Sequence, residues 1–186
     1  MNNFSMFEQA LKLAGFPRPE DLGSVSNISR RTFDEHETFL FRSQVPCLEY
    51  ISLLIENALL LRTDRAGRIY AGFERLSRME GVIDRYFRIA DVSERVYVFG
   101  EPDWKPPRHP NMKTIALSGD FKLAREWFVI ADSKRLRAAL VAVAEDGFDV
   151  PVLEARSFRA FKSSNPAIVA GLAATAEALI DSALKA

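Results

Sequence analysis

Residues 68–99 decide the fold, and they read RIYAGFERLSRMEGVIDRYFRIADVSERVYVF. Residues 68–73 and 95–99 are short, mainly apolar runs of the kind that form buried strands. Between them, Ser77-x-x-Glu80 has the spacing of a helix capping box. Apolar side chains continue from there at helical spacing: Met79, Val82, Ile83, Tyr86, Phe87 and Ala90. Strand, helix and strand in this order predict a parallel βαβ unit with a right-handed crossover.

The residues before this unit predict a first helix and a region that connects it to the rest. Ser5-x-x-Glu8 has capping-box spacing, and Gly15 marks the end of the helix that it begins. Residues 17–30 are polar and predict a linker. Thr32 to Arg42 contains three Phe residues and fits either a short strand or an ordered loop.

A second helix is predicted from Pro46 to about Arg62, because proline suits the first turn of a helix. Apolar residues cover most of its circumference, and Glu49, Ser52 and Glu56 share the one remaining face. A helix with so little polar surface is expected to be largely buried. Asp64 to Gly67 then predicts a turn.

Short apolar runs separated by turns follow residue 99. The runs that predict strands are Met112 to Leu117, Trp127 to Ala131 and Val152 to Phe161. The Ala-rich run Leu136 to Ala144 fits a strand or a helix equally well. Asn165-Pro166 begins a final amphipathic helix with an apolar stripe from Ile168 to Ala183. We therefore predict a single α/β (α+β-like) domain, in which a mixed β-sheet containing the parallel βαβ unit is packed by helices, the C-terminal one included.

The composition fits one globular domain and argues against a nucleic-acid partner. The chain has 186 residues, of which 48% are hydrophobic and 11% aromatic, so it can build a substantial core. Its 25 basic and 25 acidic residues give no net charge. Proteins that hold nucleic acid carry a basic surface, and the densest basic stretch here, Arg62 to Arg68, also contains Asp64.

The sequence also indicates a cytoplasmic protein without a membrane partner. One cysteine, Cys47, cannot form an internal disulfide, and on a buried helix it is expected to be inert. The N-terminus lacks the basic and long apolar segments of a secretion signal. The most apolar stretch, Ile51 to Leu61, is interrupted by Glu56 and is too short to span a bilayer.

Motifs for metal binding and catalysis are absent from the sequence. His36, His109 and Cys47 do not have the spacing of metal ligands. Neither a Gly-x-Ser-x-Gly motif nor a glycine-rich phosphate loop occurs, since Gly72 and Gly100 are single glycines at strand ends. We expect no catalytic residue and no metal site, and no cofactor is indicated.

The strand ends of the βαβ unit are the candidate ligand site, because ligands of open α/β sheets bind beyond the carboxyl ends of parallel strands. The free N–H groups of a helix that begins at Ser77 would also favour an anion there. The predicted ligand-binding residues are Phe73, Arg75, Ser77, Gly100, Trp104 and Arg108. The alternative is that Ser77 and Glu80 already satisfy those N–H groups and that the loop from Trp104 to His109 only connects.

Arg125, Glu126 and Trp127 form another notable cluster. A tryptophan that opens a strand usually anchors a core, and an adjacent Arg-Glu pair is usually solvated. We therefore expect Trp127 to lie in the core and Glu126 to face solvent.

Five segments together resemble a known family: Tyr50-Ile-Ser-Leu-Leu-Ile-Glu56, Ala71-Gly-Phe-Glu-Arg75, Tyr86-Phe-Arg-Ile-Ala90, Val96-Tyr-Val-Phe-Gly100 and Ala124-Arg-Glu-Trp-Phe-Val-Ile130. The chain resembles the DICT domain, a sensory module of diguanylate cyclases and two-component systems, from about Phe39 to the C-terminal helix. The resemblance implies a DICT-like sensory domain over residues 31–186, preceded by an N-terminal helix and linker over residues 1–30. It implies no catalytic residue.

This resemblance implies a signal-input role in bacterial signal transduction. Because the sequence contains no Gly-Gly-Asp-Glu-Phe run, we expect a stand-alone sensory domain that binds a small ligand or a signalling partner, such as a histidine kinase or a diguanylate cyclase. A homodimer through the stripe Ile168 to Ala183 competes with packing of that stripe on its own sheet.

Two other functions remain open. The first is a small-metabolite enzyme that uses Glu56, Glu126 or His109 as acid or base; a buried Glu56 would suit this role, and an exposed one would not. The second is a scaffold without a pocket beyond the strand ends.

Overall fold

The computed structural model describes residues 3–61, 67–146 and 152–183. These residues contain eight strands in one mixed sheet with the order β1-β2-β8-β7-β6-β3-β4-β5. The strands are β1 (Glu20–Ser24), β2 (Thr38–Gln44), β3 (Arg68–Arg75), β4 (Arg95–Glu101), β5 (Met112–Ala116), β6 (Glu126–Asp132), β7 (Arg137–Ala144) and β8 (Ser157–Ser163). Most of the predicted turn and basic stretch falls in residues 62–66, which lie outside the described residues.

The predicted parallel βαβ unit is confirmed. Strand β3 pairs in parallel with β4, with Ile69 opposite Val96, and the helix between them packs on the sheet. Strand β5 extends the parallel part beyond β4, whereas β6, β7, β8 and β2 alternate in antiparallel pairs. The predicted class, a mixed α/β sheet packed by helices, is therefore confirmed.

Five α-helices cover the sheet in the described part of the chain: α1 (Met6–Ala14), α2 (Arg30–Glu35), α3 (Val45–Leu60), α4 (Ile83–Asp91) and α5 (Pro166–Ala183). Helices α3 and α4 share one apolar cluster with one face of the sheet. Helices α1 and α5 share a second cluster with the opposite face. The sheet is thus the middle of three layers, and hydrophobic burial on both faces holds it.

Helix α5 packs on the sheet through a stripe that contains Val169, Leu172, Ala173, Ala176 and Ile180. Asn165 caps it, because its side-chain oxygen accepts hydrogen bonds from the N–H groups of Ala167 and Ile168. By length and composition α5 is also the one described helix that is apolar enough to cross a membrane. Its buried stripe belongs to the core that it forms with α1.

Three parts of the chain differ from the sequence-based expectation. Glu20–Ser24, within the predicted linker, is the edge strand β1, which pairs in parallel with β2. The ambiguous Ala-rich run is strand β7, and its small side chains allow α1, α5 and α3 to approach the sheet. Residues 153–155 form a 3-10 turn, so that β8 begins only at Ser157.

The capping box predicted at Ser77 is wrong. Leu76–Val82 forms a 3-10 helix, and α4 begins only at Ile83. The Ser77 N–H and hydroxyl both donate to the carboxylate of Asp103, at 3.0 and 2.6 Å. A carboxylate from the next loop therefore replaces the local cap.

We expect the change Gly72→Ala to lower the free energy of unfolding by about 1–3 kcal/mol. A Cβ at this position in β3 would overlap the buried ring of Phe128 on the neighbouring strand. The matched control is Gly81→Ala, where an added Cβ meets no heavy atom within 4 Å. Urea unfolding of both variants measures the difference, and equal stabilities would contradict this account of the β3–β6 contact.

Candidate functional site

A cleft of about 700 Å³ opens between α3 and the segment that contains the Leu76–Val82 turn and the start of α4. It lies where β3 ends and β6 begins, because these antiparallel neighbours place Phe73 opposite Trp127. The residues that line it are Val45, Pro46, Glu49, Tyr50, Ser52, Leu53, Glu56, Phe73, Arg78, Gly81, Val82, Arg85 and Trp127. A cavity of this size suits a small organic ligand.

Two aromatic side chains from the sheet form the base of the cleft. Trp127 is half-buried, and its indole N–H donates to the hydroxyl of Ser52 on α3 at 3.0 Å. Its ring meets Phe158 edge-on, and the ring of Phe73 meets Tyr86 in the same way, with centroids 5.2 Å apart. These contacts fix both rings, so the aromatic surface is present before any ligand arrives.

Glu56 is a buried carboxylate on the α3 wall of the cleft. One of its oxygens accepts from Arg85 and the other from the hydroxyl of Tyr86, each at 3.0 Å. Burial raises the pKa of Glu56, and the hydrogen bonds from Arg85 and Tyr86 oppose that rise. The pair holds the Arg85 guanidinium at the cleft.

A second buried carboxylate, Glu74, lies at the end of β3. It accepts two hydrogen bonds from Arg156, at 3.0 and 2.9 Å, and both side chains are only 1% exposed. Arg78, which lines the cleft, forms an ion pair with the same carboxylate. Burial lowers the pKa of both arginines. Glu74 thus links the β3 end, the turn after it and the residue before β8.

The backbone at Glu74 is in the left-handed region, with a φ of 59°. The pairing of β3 with β4 is irregular between Gly72 and Arg75, as expected for a bulge at this point. For a residue other than glycine, this conformation costs roughly 1–3 kcal/mol. The ion pairs of its side chain offset that cost.

Of the six predicted ligand-binding residues, Phe73 lies in the cleft. Arg75 is exposed and pairs with Glu101 at 3.4 Å, and Ser77 is bound to Asp103. Gly100 is buried against the backbone of Leu76, whereas Trp104 packs on the core. Arg108 lies on the surface loop before β5. These five residues lie outside the cleft, and ligand binding by them stays a prediction.

The three candidate acid–base residues lie in different places. Glu56 is in the cleft and buried, as that hypothesis required. Glu126 is buried against α1, which corrects the expectation that it faces solvent. His109 lies in a loop, where its Nε2 is 3.1 Å from Asp91. In the part of the chain that the structure describes, no three His, Cys, Asp or Glu side chains form a group able to hold a metal.

Glu126 binds the start of helix α1. Its carboxylate accepts from the hydroxyl of Ser5 and from the N–H groups of Met6 and Phe7, the latter two at 2.7 and 3.3 Å. Burial is the main cause that raises the pKa of Glu126 to about 7. Glu126 therefore acts as a second cap for α1, in addition to Ser5 itself.

Sequence reasoning missed Arg78, Arg85 and the role of Trp127. Trp127 packs on the core as expected, and its half-buried ring also lines the cleft. The seven-residue spacing of the two arginines was no usable signal, because Arg78 lies in a 3-10 helix and Arg85 in α4. Ser52 and Glu56 lie on the polar face of α3, and here that face borders the cleft instead of bulk solvent.

A family model matches residues 45–145, and its description is DICT, the sensory domain in diguanylate cyclases and two-component system. This confirms the family indicated by the sequence, over a shorter range than the one expected. The matched residues include every residue that lines the cleft. No curated protein matches the chain by sequence.

Three solved structures are similar to this chain at low sequence identity. TrmBL2, an archaeal chromatin protein, has a TM-score of 0.51 at 10% identity over 95% of this chain and 59% of its own. A polyphosphate kinase from Porphyromonas gingivalis has a TM-score of 0.48 at 12% identity over 76% of this chain and 27% of its own. NucT from Helicobacter pylori has a TM-score of 0.46 at 14% identity over 80% of this chain and 97% of its own. The chain spans only part of the first two, and TrmBL2 supports the fold alone.

We expect Glu126 to make a contribution to stability that falls as the pH rises from about 4.5 to about 7. In this window the folded state keeps a proton on Glu126 that the unfolded state releases, so the unfolding free energy decreases with pH. A single titrating group can lower the free energy of unfolding by at most about 1.4 kcal/mol per pH unit. Urea unfolding at pH 5 and pH 7.5 measures the free energy of unfolding at each pH. The decrease between the two pH values should be smaller for Glu126→Gln than for the wild type, and equal decreases would contradict the raised pKa.

Proposed function

The chain belongs to the DICT family of sensory domains, and from that premise we propose that it receives its signal as a small ligand bound in the cleft between α3 and α4. The observation that carries the proposal is the cleft itself. It is about 700 Å³ in volume, it lies within the residues that match the family, and it combines aromatic surface with buried ion pairs. This combination is typical of small-molecule sites.

The chemistry of the cleft favours binding over catalysis. Both oxygens of Glu56 accept hydrogen bonds, from Arg85 and Tyr86, and these bonds hold the carboxylate in the wall of the cleft. Glu126 binds the start of α1 and His109 lies beside Asp91, so neither can form an acid–base pair with Glu56. We therefore propose a sensory role for the cleft without catalytic activity of its own.

We propose that this domain passes its signal to a partner protein, such as a histidine kinase or a diguanylate cyclase. The support is the description of the family, which names diguanylate cyclases and two-component systems. We further propose a bacterial and cytoplasmic setting without a nucleic-acid partner, on the grounds of the family, the single cysteine and the balanced charge. We propose no membrane partner, because the apolar stripe of α5 packs on the sheet. A homodimer stays a prediction, and the α5 stripe considered for it packs on its own sheet.

We expect the change Gly81→Phe to abolish ligand retention by closing the cleft. Gly81 lines the cleft, a Cβ there meets no heavy atom within 4 Å, and its φ lies outside the left-handed region. A phenyl ring at this position can therefore occupy the cleft without disturbing the core. Native mass spectrometry of protein purified from its host should detect a bound mass on the wild type and none on the variant.

Glu80→Phe is the matched control, because Glu80 is exposed, adjacent in sequence and not part of the cleft lining. It should retain the same bound mass as the wild type. A mass that persists in Gly81→Phe would place the ligand elsewhere in the protein and contradict the proposal.

A further inference from the structure

We infer that the ligand of the cleft is a flat aromatic molecule that carries an anionic group. This inference rests on the proposed function, because it concerns the same site. It follows from two neighbouring features: an aromatic base formed by Trp127 and Phe73, and two anchored guanidinium groups, Arg78 and Arg85, on one wall.

The aromatic base offers ring surface rather than a polar handle. The only donor of Trp127, its indole N–H, is already engaged by Ser52 at 3.0 Å. Phe73 carries no polar atom in its side chain, and Tyr50 adds a third ring at the rim, where it is 50% exposed. A ligand that replaces water here gains most if it presents a flat apolar ring for offset or edge-on stacking.

The two arginines offer donors for an anion in fixed positions. Arg85 uses one N–H on Glu56, at 3.0 Å, and a guanidinium carries five in all. Arg78 is held by Glu74, and 25% of its side chain remains exposed, against 35% for Arg85. Because the anchoring carboxylates are buried, little further ordering is needed when an anion binds.

The guanidinium donors of Arg78 and Arg85 favour an anion over a cation. Glu74 faces the guanidinium groups of Arg78 and Arg156, and Asp103 and Asp146 also act on these two arginines, so the preference rests on the donors that face the cleft and not on a surplus of positive charge. The acidic residues among those that line the cleft are Glu56, which is bound to Arg85, and Glu49, which is exposed and therefore screened by water. A neutral apolar ligand would remove water from the guanidinium donors without replacing their hydrogen bonds, which is costly.

The test compares two dyes that differ in one group: anilinonaphthalene sulfonate, an aromatic anion, and its uncharged analogue phenylnaphthylamine. In the Trp104→Phe background, Trp127 is the one tryptophan left in the sequence. Energy transfer from Trp127 to the dye therefore reports binding near the cleft. Loss of this transfer in Gly81→Phe localises the dye to the cleft itself.

In this background we expect the sulfonate dye to bind more tightly than its uncharged analogue. Arg78→Gln should weaken the sulfonate dye about tenfold or more, as expected for a lost charge-assisted hydrogen bond, and should leave the uncharged dye nearly unchanged. The matched control is Arg75→Gln, an exposed arginine outside the cleft, which should have little effect on either dye. Arg78→Lys keeps the charge that faces Glu74 and should cause a smaller loss, so it decides the outcome if the glutamine variant does not fold.

The possible failures separate the two proposals. If both dyes bind in the cleft equally well and both Arg78 variants leave this unchanged, the anionic class is overturned and the ligand-binding cleft stands. If neither dye transfers energy from Trp127, or if Gly81→Phe leaves the transfer intact, the cleft itself is overturned as the binding site.

Discussion

The candidate site depends on the ion pairs that the buried carboxylate of Glu74 forms with Arg78 and Arg156. This carboxylate ties three segments that are distant in sequence: the end of β3, the turn that follows, and Arg156 before β8. Desolvating such charges is expensive, and the removal of one partner from a buried pair typically costs 3–5 kcal/mol. The chain therefore accepts a left-handed residue at the end of the strand. That backbone turn brings Phe73 to the base of the cleft and Arg78 to its wall.

The mixed character of the sheet determines where the cleft opens. In a fully parallel sheet, the carboxyl end of β3 would be flanked by two other strand ends. Here one neighbour is β6, which runs in the opposite direction and begins at the same edge. Its first residues therefore reach the site, with Trp127 on the α3 side and Glu126 on the α1 side, because successive strand residues face opposite ways.

The local patterns of the sequence were sufficient to predict the βαβ unit, α3 and the final helix, because the hydrophobic spacing of each segment agrees with its place in the core. Ser77 failed as a helix start because Asp103, which is distant in sequence, competes for its donors. Arg78 and Arg85 could not be recognised from spacing alone, since their orientation depends on Glu74 and Glu56 from other elements. Residues 137–144 were ambiguous because pairing with β6 and β8, rather than intrinsic propensity, makes them a strand.

The sheet order has a consequence for how this domain can be excised and studied. The family match ends at residue 145, yet β7 is hydrogen-bonded on one side to β8, which in turn pairs with β2. A fragment cut at the limits of the match would expose the unpaired edge of β7 and would lose α1 and α5 from one face. Such an edge invites aggregation. The segment that matches the family model is therefore smaller than the packed sheet, and expression of that segment alone should yield an insoluble product.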